Sequence, residues 1–227
     1  MTNRITPAAS ASTSSTELSS QEVGTIKLSS SPAASASHGG LDVLSRLLVD
    51  ADGKAPKSLP PLEKWNPPYC GEMDLLIKCN GEWWHEGIRM TREPLVKLFA
   101  TVLWREDDDY FLKTPAEKIK ICVEDAPLLV VDVELVTDEG QTYIRCTTKT
   151  GDVVIADADH PIEMREFDHQ GFVEMRPYIR IRRNLDALIH RNAFYHLINW
   201  STEQALDAGH AMVLNSGDAQ FILGMID

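Results

Sequence analysis

One short stretch of this 227-residue chain alternates polar with apolar side chains and contains residues that could bind an anion. Period-two alternation predicts a strand whose other face carries Ile179 and Ile181. The side chains that share its polar face are Arg176, Tyr178, Arg180 and Arg182. Guanidinium groups bind phosphate or carboxylate oxygens in pairs, and a nearby tyrosine ring can stack on a base. We therefore expect Arg180 and Arg182 to bind an anion and Tyr178 to stack, unless the arginines pair with Asp and Glu of the chain itself.

The charge of the whole chain makes this stretch stand out. The chain contains 22 Lys and Arg and 34 Asp and Glu, which gives a formal net charge of -12. So large an excess of acid argues against nucleic acid or an anionic membrane as the main partner. The Ser-, Ala- and Thr-rich residues 1–38 sum to zero charge, so the excess falls on the rest of the chain. An anion site in this chain must therefore be local.

Two polar residues of a predicted helix could extend the site. Helical spacing places Asn192 and His196 on the same stripe as Leu185, Leu188 and Ile189. They are either satisfied core groups or the lining of a cavity between domains, where they would orient the polar part of a ligand.

Neither metal binding nor catalysis has a motif here. His85 stands near Cys70 and Cys79, and His160 follows Asp157 and Asp159, but neither group has a known ligand spacing. No nucleophile, metalloprotease or phosphate-loop motif is present, and no cofactor is indicated. A hydrolase would require carboxylates and a histidine to converge in one pocket. The groups available for that are Glu117, Glu124, Asp125 and His160.

The chain divides by composition into four parts. Residues 1–38 read as a disordered tail and residues 39–61 as a short helix and a Pro-rich linker. Residues 62–127 and 128–227 follow as an N-terminal α+β domain and a C-terminal domain. Four scattered cysteines, the absence of an N-terminal signal and the absence of a long apolar run predict a cytoplasmic protein.

Strand signals dominate after the linker. Asn80-Gly81 predicts a type I′ hairpin, and Asp138-Glu139-Gly140 a three-residue hairpin. Thr91 is the expected N-cap of a helix ending near Trp104, and Asn184 that of a long helix ending at Trp200. Several short strands between residues 128 and 182 predict a small barrel or a curved sheet, and this second helix closes that half.

A weak internal echo relates the two halves. Residues 87–92 and 178–183 are both alternating strands that end in Arg and lead into an amphipathic helix ending in Trp. The predicted fold is therefore α+β, with two related strand-helix halves and a small antiparallel C-terminal barrel. If the halves pack as the echo implies, Arg89 joins the anion site.

Several ungapped blocks in a fixed order resemble a known family. The blocks are WNPPYCG at 65–71, LVKLF at 95–99, TPAEK at 114–118, VEDAP at 123–127 and LIHRNAFY at 188–195. They are similar to those of a bacterial family named domain of unknown function 1285, over about residues 60–205. The chain departs from that pattern at Lys113, where an apolar residue is usual, and after Gly209.

Members of this family have no established activity. The resemblance implies an α+β fold with a duplicated motif, a C-terminal half similar to a pleckstrin-homology barrel, and a ligand site between the halves. It further implies a nucleotide-like ligand and a role in signal transduction. It also brings Glu117 and Lys118, of the TPAEK block, into the candidate ligand-binding set.

Together these features predict a cytosolic binding or sensor module that holds a small anionic ligand between its two domains. The alternative is an adaptor that recruits a protein partner through a sheet edge or the tail. A hydrolase ranks third.

Overall fold

The computed structural model describes residues 59–169, 171–207 and 209–226, and strands make up 58% of them. The predicted tail, the short helix and the linker up to residue 58 lie outside the described residues. Within the described part, neither helix is long and apolar enough to cross a membrane.

The N-terminal half is a six-stranded sheet with one helix, preceded by a 3-10 turn at Leu62–Lys64. Its elements are β1 (Tyr69–Ile77), β2 (Trp83–His85), β3 (Ile88–Arg89), α1 (Glu93–Thr101), β4 (Leu103–Glu106), β5 (Asp109–Lys113) and β6 (Lys118–Val123). The strand order is β3-β2-β1-β6-β5-β4. β1 and β6 pair in parallel at the centre, and the other pairs are antiparallel. Leu98, Phe99 and Ala100 of α1 are buried.

The C-terminal half contains a second six-stranded sheet. Its elements are β7 (Leu128–Asp138), β8 (Gln141–Thr148), β9 (Val153–Ile155), β10 (Ile162–His169), β11 (Phe172–Arg182), β12 (Leu185–Ile189) and α2 (Arg191–Trp200). The order is β10-β11-β12-β7-β8-β9, again with its first and last strands, β7 and β12, parallel at the centre.

The two sheets therefore share one connectivity. When the strands are counted within each half, both sheets have the order third, second, first, sixth, fifth, fourth. The halves are similar, but the predicted strand-helix α+β class is wrong. The described residues lie mostly in strands, with only two α-helices among them, and both six-stranded sheets are open and mixed. The predicted C-terminal barrel is also wrong. The sequence echo matched unlike elements, since β3 is the third strand of its half and β11 is the fifth.

The predicted helix from Asn184 to Trp200 is wrong over its first third. Leu185, Ala187 and Ile189 are fully or almost fully buried in β12, the central strand next to β7. A short apolar run fits a buried strand as well as a helix, which is why spacing alone misled the prediction. α2 begins only after His190, whose ring nitrogen Nδ1 accepts a hydrogen bond from the Asn192 amide.

Both predicted hairpins form, but their turn types are exchanged. At residues 78–82 the Gly81 amide donates to the Lys78 carbonyl, and only Gly81 has a positive φ, as in a type I turn with a glycine bulge. Between β7 and β8, Glu139 and Gly140 both have positive φ angles and Asp138 pairs with Gln141, as in a two-residue type I′ turn. The first helix also differs: Arg92, not Thr91, precedes it, and it ends at Thr101.

A three-stranded antiparallel sheet completes the C-terminal half. It consists of β13 (Thr202–Leu206), β14 (Gly209–Ser216) and β15 (Ala219–Ile226). Buried Leu214, Phe221 and Leu223 join the same hydrophobic core as the two larger sheets. Ser216 links β14 to that core, because its hydroxyl donates to the Ala156 carbonyl at 2.5 Å and accepts from the Ile144 amide at 3.0 Å.

The four cysteines, all free thiols, differ in their expected reactivity. Burial raises the pKa of the Cys146 thiol to about 12, whereas Cys70 and Cys122 are exposed. Because the thiolate is the reactive form, we expect iodoacetamide at pH 8 to label Cys70 and Cys122 in the native protein and Cys146 only after unfolding. Peptide mass spectrometry of a labelling time course measures this. Native labelling of Cys146 at the rate of Cys70 would contradict the burial of β8.

Candidate functional site

The polar face of β11 is occupied by carboxylates of the chain. Arg176 donates from Nη1 to Oδ2 of Asp125 at 2.7 Å, and the Tyr178 hydroxyl donates to Oδ1 of the same residue at 2.6 Å. Only 4% of the Asp125 side chain is exposed. Burial, and then the bond to Asp125, raises the pKa of Tyr178, so its hydroxyl stays protonated. One carboxylate in the link between the halves thus binds the predicted stacking residue, Tyr178, together with Arg176.

Arg180 is paired in the same way. Its Nε donates to Oδ1 of Asp186 at 2.5 Å, while Arg165 donates to Oδ2 at 3.1 Å. The Arg165 guanidinium also lies 4.2 Å from the centre of the Tyr178 ring. Asp186 and Tyr178 are nearly buried, so this face of the ring is covered by Arg165 rather than open to a base.

Arg182 connects the two halves. Its guanidinium donates to Asp152, which precedes β9, and to the carbonyl of Ala100 in the last turn of α1. Only 9% of the side chain is exposed. Burial, with the neighbouring Arg183, lowers the pKa of Arg182 to about 10, which still leaves it protonated at neutral pH. Arg182 therefore joins the two halves through its hydrogen bonds to Asp152 and to the Ala100 carbonyl.

A cleft of about 240 Å³ lies beside these pairs, between β4 and β5 of the first half and β10 to β12 of the second. We name it the Asp125 cleft. Two arginines, Arg105 and Arg165, line it together with four carboxylates. The carboxylates are Glu124, Asp125, Glu166 and Asp186. This excess of acid makes it a poor site for an anion.

The other predicted residues lie apart from the β11 face. Asn192 and His196 are exposed on α2, because the buried stripe of that helix consists of Ala193 and Leu197. Lys118 pairs with Glu106 at 2.5 Å, and Glu117 is half-buried in the turn between β5 and β6. The TPAEK block builds that turn: the Thr114 hydroxyl accepts hydrogen bonds from the amides of Ala116 and Glu117.

The groups considered for metal binding or hydrolysis do not assemble. Among the described residues no three His, Cys, Asp or Glu side chains lie close enough to hold a metal ion. His160 closes a turn with Asp157 and contacts the Arg180 carbonyl through Nδ1 at 3.0 Å. Glu124 and Asp125 line the Asp125 cleft, but Glu117 and His160 do not.

A second cleft, of about 250 Å³, is also lined by residues of both halves, but its charge differs from that of the Asp125 cleft. We name it the Lys97 cleft. Arg89 and Lys97 enter it from the first half, and Lys149, in the turn after β8, enters from the second. Glu82 and Glu93 are its carboxylates, so cations exceed acids here. Its wall includes the apolar side chains of Trp83, Met90 and Val96.

The cations of the Lys97 cleft are weakly engaged. Lys97 is exposed and has no carboxylate within ion-pair distance among the residues that the structure describes. Among the described residues, the Lys149 ammonium has a single hydrogen-bond acceptor, the Asn80 carbonyl at 3.3 Å. Arg89 pairs with Glu82 at 3.2 Å, but 55% of its side chain is exposed. Of these three, the sequence had indicated only Arg89, because each lysine is isolated in the chain.

Gly81 allows the halves to approach at this cleft. Its φ is +72°, and a Cβ there would lie 3.1 Å from atoms of Leu129 in β7. A larger residue would push the hairpin of the first half away from the second.

Comparisons with known proteins identify the family of the chain. The models of the N-terminal and C-terminal domains of DUF1285 match residues 60–126 and 127–223. A DUF1285 protein from Silicibacter pomeroyi DSS-3 is 34% identical and superposes with a TM-score of 0.71, over 82% of this chain and 96% of its own. A second, from Shewanella baltica OS155, is 30% identical with a TM-score of 0.44, over 56% and 91%. A search of curated proteins found no match. The chain therefore belongs to the DUF1285 family.

Proposed function

We propose that this protein is a binding module that holds a small anionic ligand in the Lys97 cleft, between its two halves. The observation that carries the proposal is the set of three cations, from both halves, that line one cleft of a chain with net charge -12. Arg176, Arg180 and Arg182 of β11, in contrast, each already have a carboxylate partner.

The geometry limits the kind of ligand. A volume of about 250 Å³ lies just under the range of about 300 to 1,000 Å³ typical of drug-sized ligands, so the ligand is small. Its phosphate or carboxylate would contact Lys97 and Lys149, and its carbon skeleton would pack on Val96 and Met90. Trp83 is only 2% exposed and offers no open ring face. A nucleotide would therefore place its phosphates here, with the base outside the cleft.

Binding at this place would act on the relation between the halves. Lys97 belongs to α1 and Lys149 to the β8–β9 turn, so one anion that contacts both would join the two sheets. Thr150, which also lines the cleft, donates to Asp152, the partner of Arg182. The ligand would thus reinforce the contact that Arg182 already makes between the two halves. A protein whose halves are held together more firmly when a ligand is bound can act as a sensor of that ligand.

A thermal-shift series tests the proposal with inorganic phosphate, pyrophosphate, citrate and AMP as probes. We expect at least one anion to raise the melting temperature by roughly 5 to 10 °C at a hundredfold excess over its Kd. The Lys97→Gln variant should lose most of this shift, because it removes a cation from the cleft. Lys64→Gln is the matched control, since Lys64 is also exposed and does not line the cleft.

Two results would contradict the proposal. One is the absence of a shift with every anion at millimolar concentration. The other is a shift that remains unchanged in both Lys97→Gln and Lys149→Gln, because that would place the anion elsewhere on the protein.

A further inference from the structure

β11 is longer than the strand beside it and has an open edge. It spans Phe172–Arg182, but its pairing with β12 extends only from Arg182 back to Tyr178. On its other side, β10 pairs with β11 from Ile179 to Phe172 without interruption. Residues 172–177 therefore have a strand neighbour on one side only, among the residues that the structure describes.

The register shows which backbone groups face the open side. The Arg180 amide donates to the Pro161 carbonyl, toward β10, at 3.3 Å. Bonded and non-bonded pairs alternate along an antiparallel ladder, so the amides of Glu174 and Arg176 also point toward β10. Those of Val173 and Met175 point away from it. Pro177 occupies the next outward position, where a residue without an N–H is tolerated at an edge.

A groove of about 440 Å³ runs between this edge and α2. We name it the β11–α2 groove. Its apolar lining is contributed by both elements and by β12: Met175, Pro177, Leu188, Ile189 and Phe194. Phe172, Val173 and Met175, on the open part of β11, are 81%, 61% and 54% exposed. Free backbone groups thus lie beside an apolar channel, which is the arrangement that accepts an added strand.

The groove is lined by two arginines and one glutamate, so its net charge is positive. Arg176 and Glu174 pair with each other there. Arg191, at the start of α2, donates from Nε to the Tyr195 hydroxyl at 2.8 Å, with the guanidinium 5.5 Å from the centre of that ring. In the described part of the chain Arg191 has no carboxylate partner, although acids outnumber bases. An acidic group on the occupant would complement it.

We propose that the β11–α2 groove binds an extended segment of a partner protein, which adds a strand to β11 at Val173 and Met175. One apolar side chain of the segment enters the groove beside Phe194, and an acidic side chain binds Arg191. This site is separate from the Lys97 cleft, and the two share no lining residue.

Amide hydrogen exchange on the full-length protein tests the free edge. We expect the amides of Val173 and Met175 to exchange rapidly, and those of Glu174 and Arg176 slowly, in dilute protein. Protection of Val173 and Met175 in dilute protein would mean that the chain covers its own edge. Protection that appears only at high protein concentration would mean that a second copy does. Either result overturns the proposal of a partner segment.

A displayed library of random decapeptides, selected on the full-length protein, tests the partner. We expect enriched sequences to alternate apolar and polar residues and to include an acid. Met175→Pro removes an outward amide without touching the β10 ladder and should weaken a selected peptide at least tenfold, whereas Met175→Leu, which keeps the amide, should not.

A second variant keeps the test decisive should the proline variant fail to fold. Arg191 is exposed, and Arg191→Gln should weaken acidic peptides about tenfold while leaving their alanine-substituted versions unaffected. If no peptide is enriched, or if the selected peptides bind Arg191→Gln and Met175→Pro as tightly as the unaltered protein, the proposal is wrong.

Discussion

The Arg182→Met variant is expected to lose about 3 kcal/mol of unfolding free energy, the lower end of the cost of removing one partner from a buried ion pair. Methionine fills much of the space but leaves Asp152 and the Ala100 carbonyl without their donor. The loss stays near the lower end because Asp152 retains hydrogen bonds from Thr148 and Thr150. Urea denaturation followed by circular dichroism measures it.

Arg145→Met is the matched control for that variant. Arg145 pairs with Glu134 on the surface, where both side chains are 43% exposed, so its loss should cost about 0 to 1 kcal/mol. In an Asp152→Asn background, Arg182→Met should cost less than in the original protein, because the charge it leaves unpaired is gone. Equal costs for Arg182→Met and Arg145→Met would show that Arg182 does not join the halves.

Asp125→Ala is expected to destabilise the protein by a similar amount, about 3 kcal/mol, because it orphans a buried hydroxyl and a partly buried guanidinium together. Tyr178 loses the one acceptor that its hydroxyl has among the described residues, and Arg176 retains Glu174 and the ring of Phe167. The residue lies in the short link between β6 and β7, so the loss should also loosen the contact between the halves.

An exposed aspartate provides the comparison. Asp132→Ala, on β7, should change the unfolding free energy by no more than about 0.5 kcal/mol. Tyr178→Phe should be costly alone and nearly neutral when combined with Asp125→Ala, since the hydroxyl then has no acceptor to lose. Additive losses in this double-mutant cycle would contradict the bond between Tyr178 and Asp125.

The sequence predicted the strands of this fold better than their arrangement. Alternation located β7, β8 and β11, and glycine placed both hairpins, because these signals depend on neighbouring residues. The two parallel central pairs join residues far apart in the chain, such as Leu76 with Cys122 and Leu188 with Leu129, and no local pattern reports such pairing. The α+β and barrel predictions were wrong for that reason.

The candidate site divides in the same way. The alternation placed Arg176, Tyr178, Arg180 and Arg182 on one face of a strand. It holds as far as Arg180, but a register shift between Arg180 and Arg182 interrupts it, and Arg182 binds Asp152 and the Ala100 carbonyl instead. The alternation could not reveal the partners of the first three, Asp125 and Asp186, because one comes from the link between the halves and the other from β12. Lys97 and Lys149 were missed because a cleft that assembles from α1 and the β8–β9 turn leaves no mark in either segment.

The parallel pair at the centre of each sheet has a consequence for how the chain folds. Because the first strand of each half must wait for the last, the N-terminal sheet cannot close until residue 123 has been synthesised, nor the C-terminal sheet until residue 189. Contacts between residues so far apart in the chain slow folding. Until β6 and β12 have been synthesised, β1 and β7 each have one unpaired edge, and unpaired strand edges promote aggregation. We therefore expect the growing chain to be most prone to aggregation before residues 123 and 189 have been synthesised.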